Sequence, residues 1–439
     1  MIKFAQLFLS LTILITLHEF GHFYFAKKFK CRVDKFYLFF DFLFPFAGLM
    51  NFSLFKKKIG DTEYGLGWFP LGGYVQIAGM VDEQMDKKTL EKPAEPWEFR
   101  AKPAWQRLLI MIGGILVNFV LGIFIYWMVL FFWGKETIPM SKLTYGIACD
   151  STAMKMGLRN GDKIISVDNV VVNALDRVTI NIIMNKAKSM QVERNGEAVN
   201  IPISENDISV ILKNIKKSKF ITIRKRFTVD SVYEGYAKKA GIKSGDKIIS
   251  INNNPINYFD EFQLQLAINK SKEINLLLLR KNDTIPTKSK VSGEGTLNFE
   301  AKPDFDPFET IHYGFFEALG QGFKDGMETL LMNLKQFVVI FTVKDAHKQV
   351  GGFYTMYNSM PPTWDWHDFW MFTAFLSLVL AFMNFLPIPM LDGGYILFVL
   401  IEMVTRKKIP EKIVYYANYV GLVFILGLMI YANTDFLRD

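Results

Sequence analysis

The stretch LLIMIGGILVNFVLGIFIYWMVLFFW, Leu108–Trp133, runs for 26 residues without Asp, Glu, Lys, Arg or His. About 20 consecutive apolar residues cross the hydrocarbon core of a bilayer, whereas a soluble helix of this length would carry a polar stripe. Phe369–Leu391 (23 residues) and Ile413–Thr434 (22 residues) have the same property. The whole chain of 439 residues is 50% hydrophobic and only 21% charged, so the sequence predicts a membrane protein rather than a soluble or disordered one.

The N-terminal segment is predicted to be another transmembrane helix. Phe4–Ala26 is apolar except for His18, Glu19 and His22. A secretory signal peptide would have a basic start and a small-residue cleavage site, but only Lys3 precedes this stretch. Ionisable side chains inside a span cost several kcal/mol and therefore indicate function.

The net charge of +8 is explained by basic clusters at predicted helix ends. Lys27–Lys35 follows the first helix, Arg100–Arg107 precedes the second, and Arg406–Lys412 joins the third and fourth. The positive-inside rule places all three clusters in the cytoplasm. Both termini and the segment Lys135–Asp368 are then expected on the outer side of the membrane, and no nucleic-acid partner is needed.

A Phe-rich segment, Phe36–Phe55, is apolar enough to suggest one more span. It contains eight Phe, but Pro45 and Gly48 interrupt it, and lysines flank both of its ends. Basic residues on both sides favour a re-entrant or interfacial segment that returns to the cytoplasmic face.

The external segment contains an internal repeat. Gly157–Asp176 and Gly241–Asp260 are identical at 10 of 20 positions, and both contain G-D-K-I-I-S. A turn that leads into a buried strand fits this pattern, and the repeat resembles PDZ domains. Such domains bind peptides by strand addition, but a purely structural cap or a size filter is an equally good interpretation.

The segment that follows the repeats is predicted to contact the membrane surface. Phe315–Val343 has apolar residues at helical spacing with charges between them, which is typical of an amphipathic surface helix. Cys31 and Cys149 fall on opposite sides of the predicted membrane. Neither cysteine is therefore expected to form a disulfide with the other or to bind metal.

The sequence His18-Glu19-Phe20-Gly21-His22 carries the clearest chemical signal. Residues i and i+4 of a helix lie on one face, so both imidazoles can bind one zinc ion while Glu19 acts as a general base. A mutually hydrogen-bonded His/Glu pair without function would be costly inside an apolar helix.

A catalytic zinc ion needs a third protein ligand and an open position for water. Asp392 is the best candidate, because it follows the third span and should lie on the cytoplasmic side, as His18 and His22 do. Pro387 and Pro389 break the helix before it, and Gly393–Gly394 would allow a sharp turn. Taken alone, Asp392 could also simply cap the start of a cytoplasmic helix.

These motifs together resemble the site-2 protease family of intramembrane zinc metalloproteases. The resemblance rests on H-E-x-G-H in the first span, N-x-x-P-x-P-x-L-D-G-G after Phe369, the tandem repeat, and Phe69–Val75, which is similar to that family's membrane-associated β-loop. It implies zinc as cofactor, and it implies the following site residues: His18, His22 and Asp392 as ligands, Glu19 as base, and Asn384, Gly72 and Gly73 as substrate contacts.

The expected architecture is a multi-pass α-helical membrane protein with four transmembrane helices, a re-entrant or membrane-associated β-loop and two extracytoplasmic PDZ-like α+β domains. The expected boundaries are 1–30 (first span), 31–100 (β-loop region), 104–134 (second span), 135–215 and 216–300 (PDZ-like domains), 305–367 (surface helix and linker), 368–394 (third span) and 411–434 (fourth span).

The function implied by the resemblance is hydrolysis of a peptide bond within or beside a transmembrane segment of another protein. A helical substrate must first unwind, and an edge strand from Gly65–Gln76 could pair with its freed backbone groups. The implied partners are single-span membrane proteins already trimmed by another protease, together with peptides or substrate ectodomains at the PDZ-like domains.

Two other function classes were weighed against this one. The first is a non-catalytic membrane PDZ scaffold with a vestigial or structural metal site, of which the loss of Glu19 would have been the sign. The second is a metal transporter, which would need ionisable residues in several spans. The second and fourth spans contain none.

Overall fold

The computed structural model describes residues 1–43, 50–69, 72–80, 93–214 and 219–434. Pro45 and Gly48 of the Phe-rich segment lie outside the described residues, as do Pro70 and Leu71 of the predicted β-loop. The chain forms two compact units. The helical unit comprises Met1–Gly134, His312–Ile340 and His347–Asp439, and the repeat unit comprises Lys135–Ile311 and Phe341–Ala346.

In chain order, the described α-helices are α1 (Ile2–Lys28), α2 (Ala104–Phe132), α3 (Ser151–Lys155), α4 (Leu175–Met184), α5 (Glu205–Asn214), α6 (Tyr236–Lys239), α7 (Phe259–Ile268), α8 (Phe315–Thr342), α9 (Phe353–Ser359), α10 (Trp366–Phe385), α11 (Asp392–Thr405) and α12 (Glu411–Asn433). The described strands are β1 (Val33–Leu38), β2 (Ser53–Ile59), β3 (Thr62–Gly67), β4 (Tyr74–Ile77), β5 (Lys135–Thr137), β6 (Ile147–Cys149), β7 (Lys163–Val167), β8 (Val170–Val171), β9 (Ser189–Arg194), β10 (Glu197–Pro202), β11 (Ile221–Ile223), β12 (Phe227–Val232), β13 (Lys247–Ile251), β14 (Asn254–Pro255), β15 (Glu273–Arg280), β16 (Asp283–Lys290), β17 (Phe299–Pro303) and β18 (Glu309–Ile311).

Within the described ranges, four helices are long and apolar enough to cross a membrane, namely α1, α2, α10 and α12. This number of candidate spans agrees with the sequence analysis. Helix α10 ends at Phe385, before the end of the apolar stretch Phe369–Leu391. The reason is local, because Pro387 and Pro389 lack the N–H that a helix requires and restrict the residues that precede them.

Helices α1 and α2 approach each other through glycines. A Cβ atom added to Gly21 would lie 2.3 Å from the carbonyl oxygen of Gly113, and one added to Gly113 would lie 2.6 Å from that of Gly21. Only glycine permits such close backbone contact between membrane helices. The consequence is that the α2 backbone reaches the turn of α1 that carries His18 and His22.

The amphipathic helix predicted over Phe315–Val343 corresponds to α8, and it packs on the flanks of α2 and α10. A Cβ atom on Gly322 would lie 2.8 Å from the backbone nitrogen of Trp127, and Leu330 joins an apolar cluster with α2 and α10 residues. Large apolar side chains such as Phe316 and Phe323 remain exposed on this helix. Its predicted place at the membrane surface stays a prediction.

A four-stranded sheet in the order β2-β3-β1-β4 follows α1. Gly65–Gln76 was expected to form one edge strand, but this range is divided between two strands. Gly65 lies in β3, which is interior because β2 and β1 flank it. β4 and β2 are the two edge strands of the sheet in its described residues, and β1 pairs with one side of β4. The β-loop region is therefore a small sheet in its described residues.

The repeat unit contains two four-stranded sheets of the same order, β8-β7-β9-β10 and β14-β13-β15-β16. The G-D-K-I-I-S motif supplies the turn and the second strand of each sheet. Its aspartates, Asp162 and Asp246, are 1% and 0% exposed. Each pairs bidentately with an arginine on the neighbouring strand, Arg194 and Arg280 respectively, at 2.7–2.8 Å. The two copies predicted from the sequence repeat thus have the same strand order and the same Asp–Arg ion pair.

Candidate metal centre

Three side chains from distant parts of the chain meet inside the helical unit. His18 and His22 project from one face of α1, one turn apart, and Asp392 is the first residue of α11. Their Nε2, Nε2 and Oδ2 atoms form a nearly equilateral triangle. The two imidazole nitrogens are 3.2 Å apart, and each lies 3.3 Å from the carboxylate oxygen.

This triangle fits the tetrahedral zinc ion that the sequence analysis expected. Nitrogen and oxygen ligands about 2.0–2.1 Å from a tetrahedral zinc ion are about 3.3–3.4 Å from one another, which matches the observed edges. Within the described part of the chain, Oδ2 of Asp392 is buried and accepts no hydrogen bond. A buried carboxylate oxygen without a donor is a costly arrangement, and a bound cation would remove that cost.

The ring of His22 is oriented by α2. Its Nδ1 lies 2.8 Å from the carbonyl oxygen of Ile110. Because a carbonyl only accepts, Nδ1 must carry the proton, and Nε2 is left as the metal-binding atom. A Cβ atom on Gly114 would lie 2.4 Å from this Nε2, so glycine is required for the ring to occupy its place.

The ring of His18 also contacts α2. Its Nδ1 lies 3.3 Å from the side-chain amide nitrogen of Asn118, and Asn118 is 0% exposed. The amide oxygen of Asn118 has no hydrogen-bond partner among the described residues. Rotating the amide by half a turn would let this oxygen accept from Nδ1–H of His18, as a metal-binding histidine requires. Gly114 and Asn118 were not predicted from the sequence, although their G-x-x-x-N spacing places them on one helix face and was available as a signal.

The segment 386–391 delivers Asp392 to the triangle. The sharp turn that the sequence analysis assigned to Gly393–Gly394 is made by Met390, whose φ is 81°. This left-handed conformation costs a non-glycine residue about 1 kcal/mol or more. The two glycines serve a different purpose: a Cβ atom on Gly393 would lie 2.1 Å from the carbonyl oxygen of Leu386. They allow the start of α11 to pack directly on the preceding segment.

All seven site residues expected from the sequence line one cavity of about 430 Å³, namely His18, Glu19, His22, Gly72, Gly73, Asn384 and Asp392. Glu19 lies close to both histidines and Asp392, and its carboxylate contacts the backbone amide of Val75 on β4. The side-chain amide of Asn384 is 3.3 Å from Nε2 of His18. The cavity therefore places one free carboxylate, one amide and the edge of a β-strand around the triangle.

Comparison with known proteins agrees with this chemistry. The model of peptidase family M50 matches residues 6–428. The chain is 26% identical, over 471 aligned residues, to a candidate zinc metalloprotease of Vibrio cholerae, covering 99% of this chain and 98% of the relative. It is 25% identical over 468 residues to the regulator of sigma-E protease RseP of Escherichia coli, with the same coverage. A candidate zinc metalloprotease of Clostridium perfringens is 27% identical over 431 residues, covering 96% of this chain and 94% of the relative.

The family match spans nearly the whole chain, and the residues of the H-E-x-x-H motif lie together with Asp392 in one cavity. The chain belongs to peptidase family M50 and is an intramembrane metalloprotease of the site-2 protease type.

Proposed function

We propose that His18, His22 and Asp392 bind a catalytic zinc ion, and that Glu19 is the general base for hydrolysis of a peptide bond in a transmembrane segment. The observation that carries this proposal is the Nε2–Nε2–Oδ2 triangle, with edges of 3.2 and 3.3 Å, beside the Glu19 carboxylate. The described residues of this cluster supply three ligand atoms. A fourth position is then available for water, as a catalytic rather than a structural zinc site requires.

The roles of the protein groups follow from their positions. When bound, zinc supplies Lewis-acid activation of a water molecule and of the scissile carbonyl. A carboxylate oxygen of Glu19 takes a proton from the attacking water as the new carbon–oxygen bond forms. It then gives this proton to the amine nitrogen as the carbon–nitrogen bond breaks. Nδ1 of His22, held by the carbonyl of Ile110, keeps its ring in place throughout.

The substrate is expected to bind as an extended strand. A transmembrane helix hides its carbonyls in its own hydrogen bonds, and each backbone group freed in hydrocarbon costs several kcal/mol unless it finds a partner. The outer edge of β4 adjoins the cavity at Val75, and strand addition there would supply partners. Asn384, Gly72 and Gly73 line the same cavity and would contact this strand.

The sidedness we propose is supported by contacts between helix ends. Near the start of α2, the lysine Nζ of Lys102 donates to the carbonyl oxygen of Lys30, just after α1, at 3.2 Å. Arg100 pairs with Glu411 at the start of α12 at 3.1 Å, so these basic ends share one face. The positive-inside rule makes this face cytoplasmic, and both termini and the repeat unit are then periplasmic in a bacterial inner membrane.

The two sheets of the repeat unit are proposed to be PDZ-like domains. In each copy a short helix precedes the G-D-K-I-I-S strand, and a longer helix, α4 or α7, follows the hairpin. They would bind peptides or substrate ectodomains, or exclude substrates with bulky external parts. By analogy with the relatives named for sigma-E regulation, the substrate would be a single-span regulator such as an anti-sigma factor, first trimmed by another protease.

The test compares cleavage of a tagged single-span substrate by wild-type protein and by Glu19→Gln, together with their zinc contents. Glu19→Gln keeps every proposed ligand, so we expect normal zinc content and a loss of cleavage of at least about 10³-fold. Glu63→Gln, at a carboxylate of β3 that accepts from Tyr37 at 2.7 Å, is the matched control and should remain active.

Two results would oppose the proposal. Unchanged cleavage by Glu19→Gln would remove its role as base. Zinc content that persists in His18→Ala, His22→Ala and Asp392→Ala would place the metal elsewhere. A non-catalytic scaffold is not favoured, because Glu19 lies beside the ligand triangle.

A further inference from the structure

Helix α12 carries none of the proposed ligands, yet it holds the segment that presents Asp392. Asn418, which is 1% exposed, accepts a hydrogen bond at Oδ1 from the backbone N–H of Met390 at 3.2 Å. Its amide nitrogen donates to the hydroxyl of Tyr395 on α11 at 3.2 Å. A buried asparagine in an apolar helix therefore spans from the strained residue Met390 to the helix that begins with Asp392.

A second contact from the same face of α12 reaches the neighbouring proline. A Cβ atom on Gly421 would lie 2.1 Å from the carbonyl oxygen of Pro389 and 2.6 Å from its carbonyl carbon. Asn418 and Gly421 are three residues apart, so they lie on one face of the helix. Asn418 hydrogen-bonds the Met390 N–H, and Gly421 lets the Pro389 backbone pack closely on α12.

Polar side chains are expensive inside membrane helices and indicate function. Asn418 lines the same cavity as the proposed ligands, and its hydrogen bond to the Met390 N–H is its route to Asp392. Met390 has a positive φ of 81° and lies two residues before Asp392. A conformation of this kind persists only where surrounding groups hold it, and Oδ1 of Asn418 is the group that occupies the Met390 N–H.

We propose that Asn418 is a positioning residue for the metal ligand Asp392, and that Gly421 provides the space in which the same segment packs against α12. This inference rests on the proposed function, because it assigns Asn418 to the zinc site. Asn418 sets how well Asp392 completes the ligand set, and thereby the affinity for metal.

The experiment measures zinc affinity of the full-length protein in detergent by competition with a chromophoric chelator. Asn418→Leu has a similar size but lacks both polar atoms, and we expect it to lower zinc affinity by about 10–100-fold, as other outer-shell losses do. Gly421→Ala should lower it similarly. Gly427→Ala on the same helix is the matched control, since a Cβ atom there would meet no described atom within 4 Å.

Cleavage kinetics separate positioning from substrate binding. Asn418→Leu should lower kcat at limiting zinc and leave KM unchanged, and saturating zinc should restore most of kcat. Tyr395→Phe removes only the hydroxyl contact and leaves the Met390 hydrogen bond, so it should resemble the wild type more closely than Asn418→Leu does. Wild-type zinc affinity in both Asn418→Leu and Gly421→Ala would overturn the inference.

A measurement on metal-free protein distinguishes failure of the positioning role from failure of the proposed zinc site. Hydrogen exchange of the peptide containing Met390 and Leu391, in metal-free protein, should be faster in Asn418→Leu and Gly421→Ala than in wild type or Gly427→Ala. Equal exchange in all four proteins would refute the positioning role. If the wild type bound no zinc at this site, the proposed function would fail, whereas the exchange rates would still decide whether Asn418 holds the segment.

Discussion

Gly114 of α2 lies directly against His22 of α1, so that a single added methyl group at Gly114 would lie 2.4 Å from Nε2 of His22 and 2.7 Å from Cε1 of His18. The proposed metal centre thus requires a residue without a side chain at position 114 as well as the ligands themselves. Two α1 rings fit only because α2 presents bare backbone at this level.

Gly114→Ala should therefore displace both imidazoles. We expect zinc affinity to fall by at least about 10–100-fold, the range of outer-shell losses, with cleavage lost in parallel. Gly427→Ala on α12 is the control, because a Cβ atom there would meet no described atom within 4 Å. Equal zinc affinity in the two variants would contradict this account of the α1–α2 contact.

Asn118→Leu should weaken the site through His18. The variant keeps the volume but removes the amide that lies 3.3 Å from Nδ1 of His18. We expect an approximately tenfold loss of zinc affinity, measured by chelator competition. A matched change at the buried Ser377, whose hydroxyl donates to the Asn118 carbonyl oxygen at 2.7 Å, tests whether the effect comes from helix packing. Ser377→Ala should keep most of the affinity.

The role of the outer edge of β4 can be tested at one backbone atom. Val75→Pro removes the N–H that contacts Glu19, while Val75→Ala keeps it and shortens the same buried side chain. We expect Val75→Pro to lower kcat/KM for a single-span substrate by at least tenfold relative to Val75→Ala, with zinc content equal in the two. If both variants cleave equally well, strand addition at this edge is excluded.

In the repeat unit, Arg280→Met should destabilise the second sheet. It leaves the fully buried Asp246 without its bidentate partner, and such a loss costs about 3 kcal/mol or more. Hydrogen exchange at β13 in the full-length protein measures this loss. Arg177→Met, at an arginine on α4 of the first repeat that lies 3.8 Å from Asp176, should leave exchange at β13 unchanged.

The same ion pair predicts a dependence on pH. Although burial of Asp246 opposes ionisation, hydrogen bonds from Arg280 and from the amide of Lys243 hold the pKa of Asp246 below its usual value. A lowered pKa means that the stabilisation is fully present above about pH 4, the usual pKa of Asp, and is lost as the pH falls below it. Protection at β13 should fall with acid in the wild type, and less steeply in Arg280→Met.

Neither cysteine is expected to react in the folded protein. Burial, together with Asp162 and Asp150, raises the pKa of the Cys149 thiol to about 12, and burial also raises the pKa of Cys31. At pH 8 only about one Cys149 in 10⁴ would be a thiolate, the reactive form. Iodoacetamide should label neither site without denaturant and both sites with it; rapid labelling of the native protein would contradict this.

Much of the candidate site could be predicted because its chemistry is local. His18 and His22 are one helical turn apart, so spacing alone places them on one face. Asp392 required only the parity of the spans and a helix break at Pro387. The strand that contains G-D-K-I-I-S could likewise be predicted in both repeats, since its turn residues and its apolar residues lie within one short segment.

The supporting residues could not be read in the same way. Gly114, Asn118 and Asn418 act through contacts between helices. The spacing of residues along one helix does not predict which of its faces turns towards a neighbouring helix. The sheet order could not be predicted for a related reason. Gly65 and Val75 are close in sequence, but they lie in different strands. Gly65 is in the interior strand β3, which pairs with β2, whereas Val75 is in the edge strand β4, which pairs with β1.

The way in which α12 holds the segment before Asp392 also has a consequence for biosynthesis. Two ligands are made within the first helix, whereas Asp392 and the helix that holds its segment are synthesised much later. Since chains are synthesised from the N-terminus, a nascent protein lacks the third ligand until Asp392 has been made, and it lacks the contacts that hold this ligand's segment until α12 has followed. The enzyme would bind its metal in full, and with it gain the capacity to cut membrane proteins, only after α12 has been made.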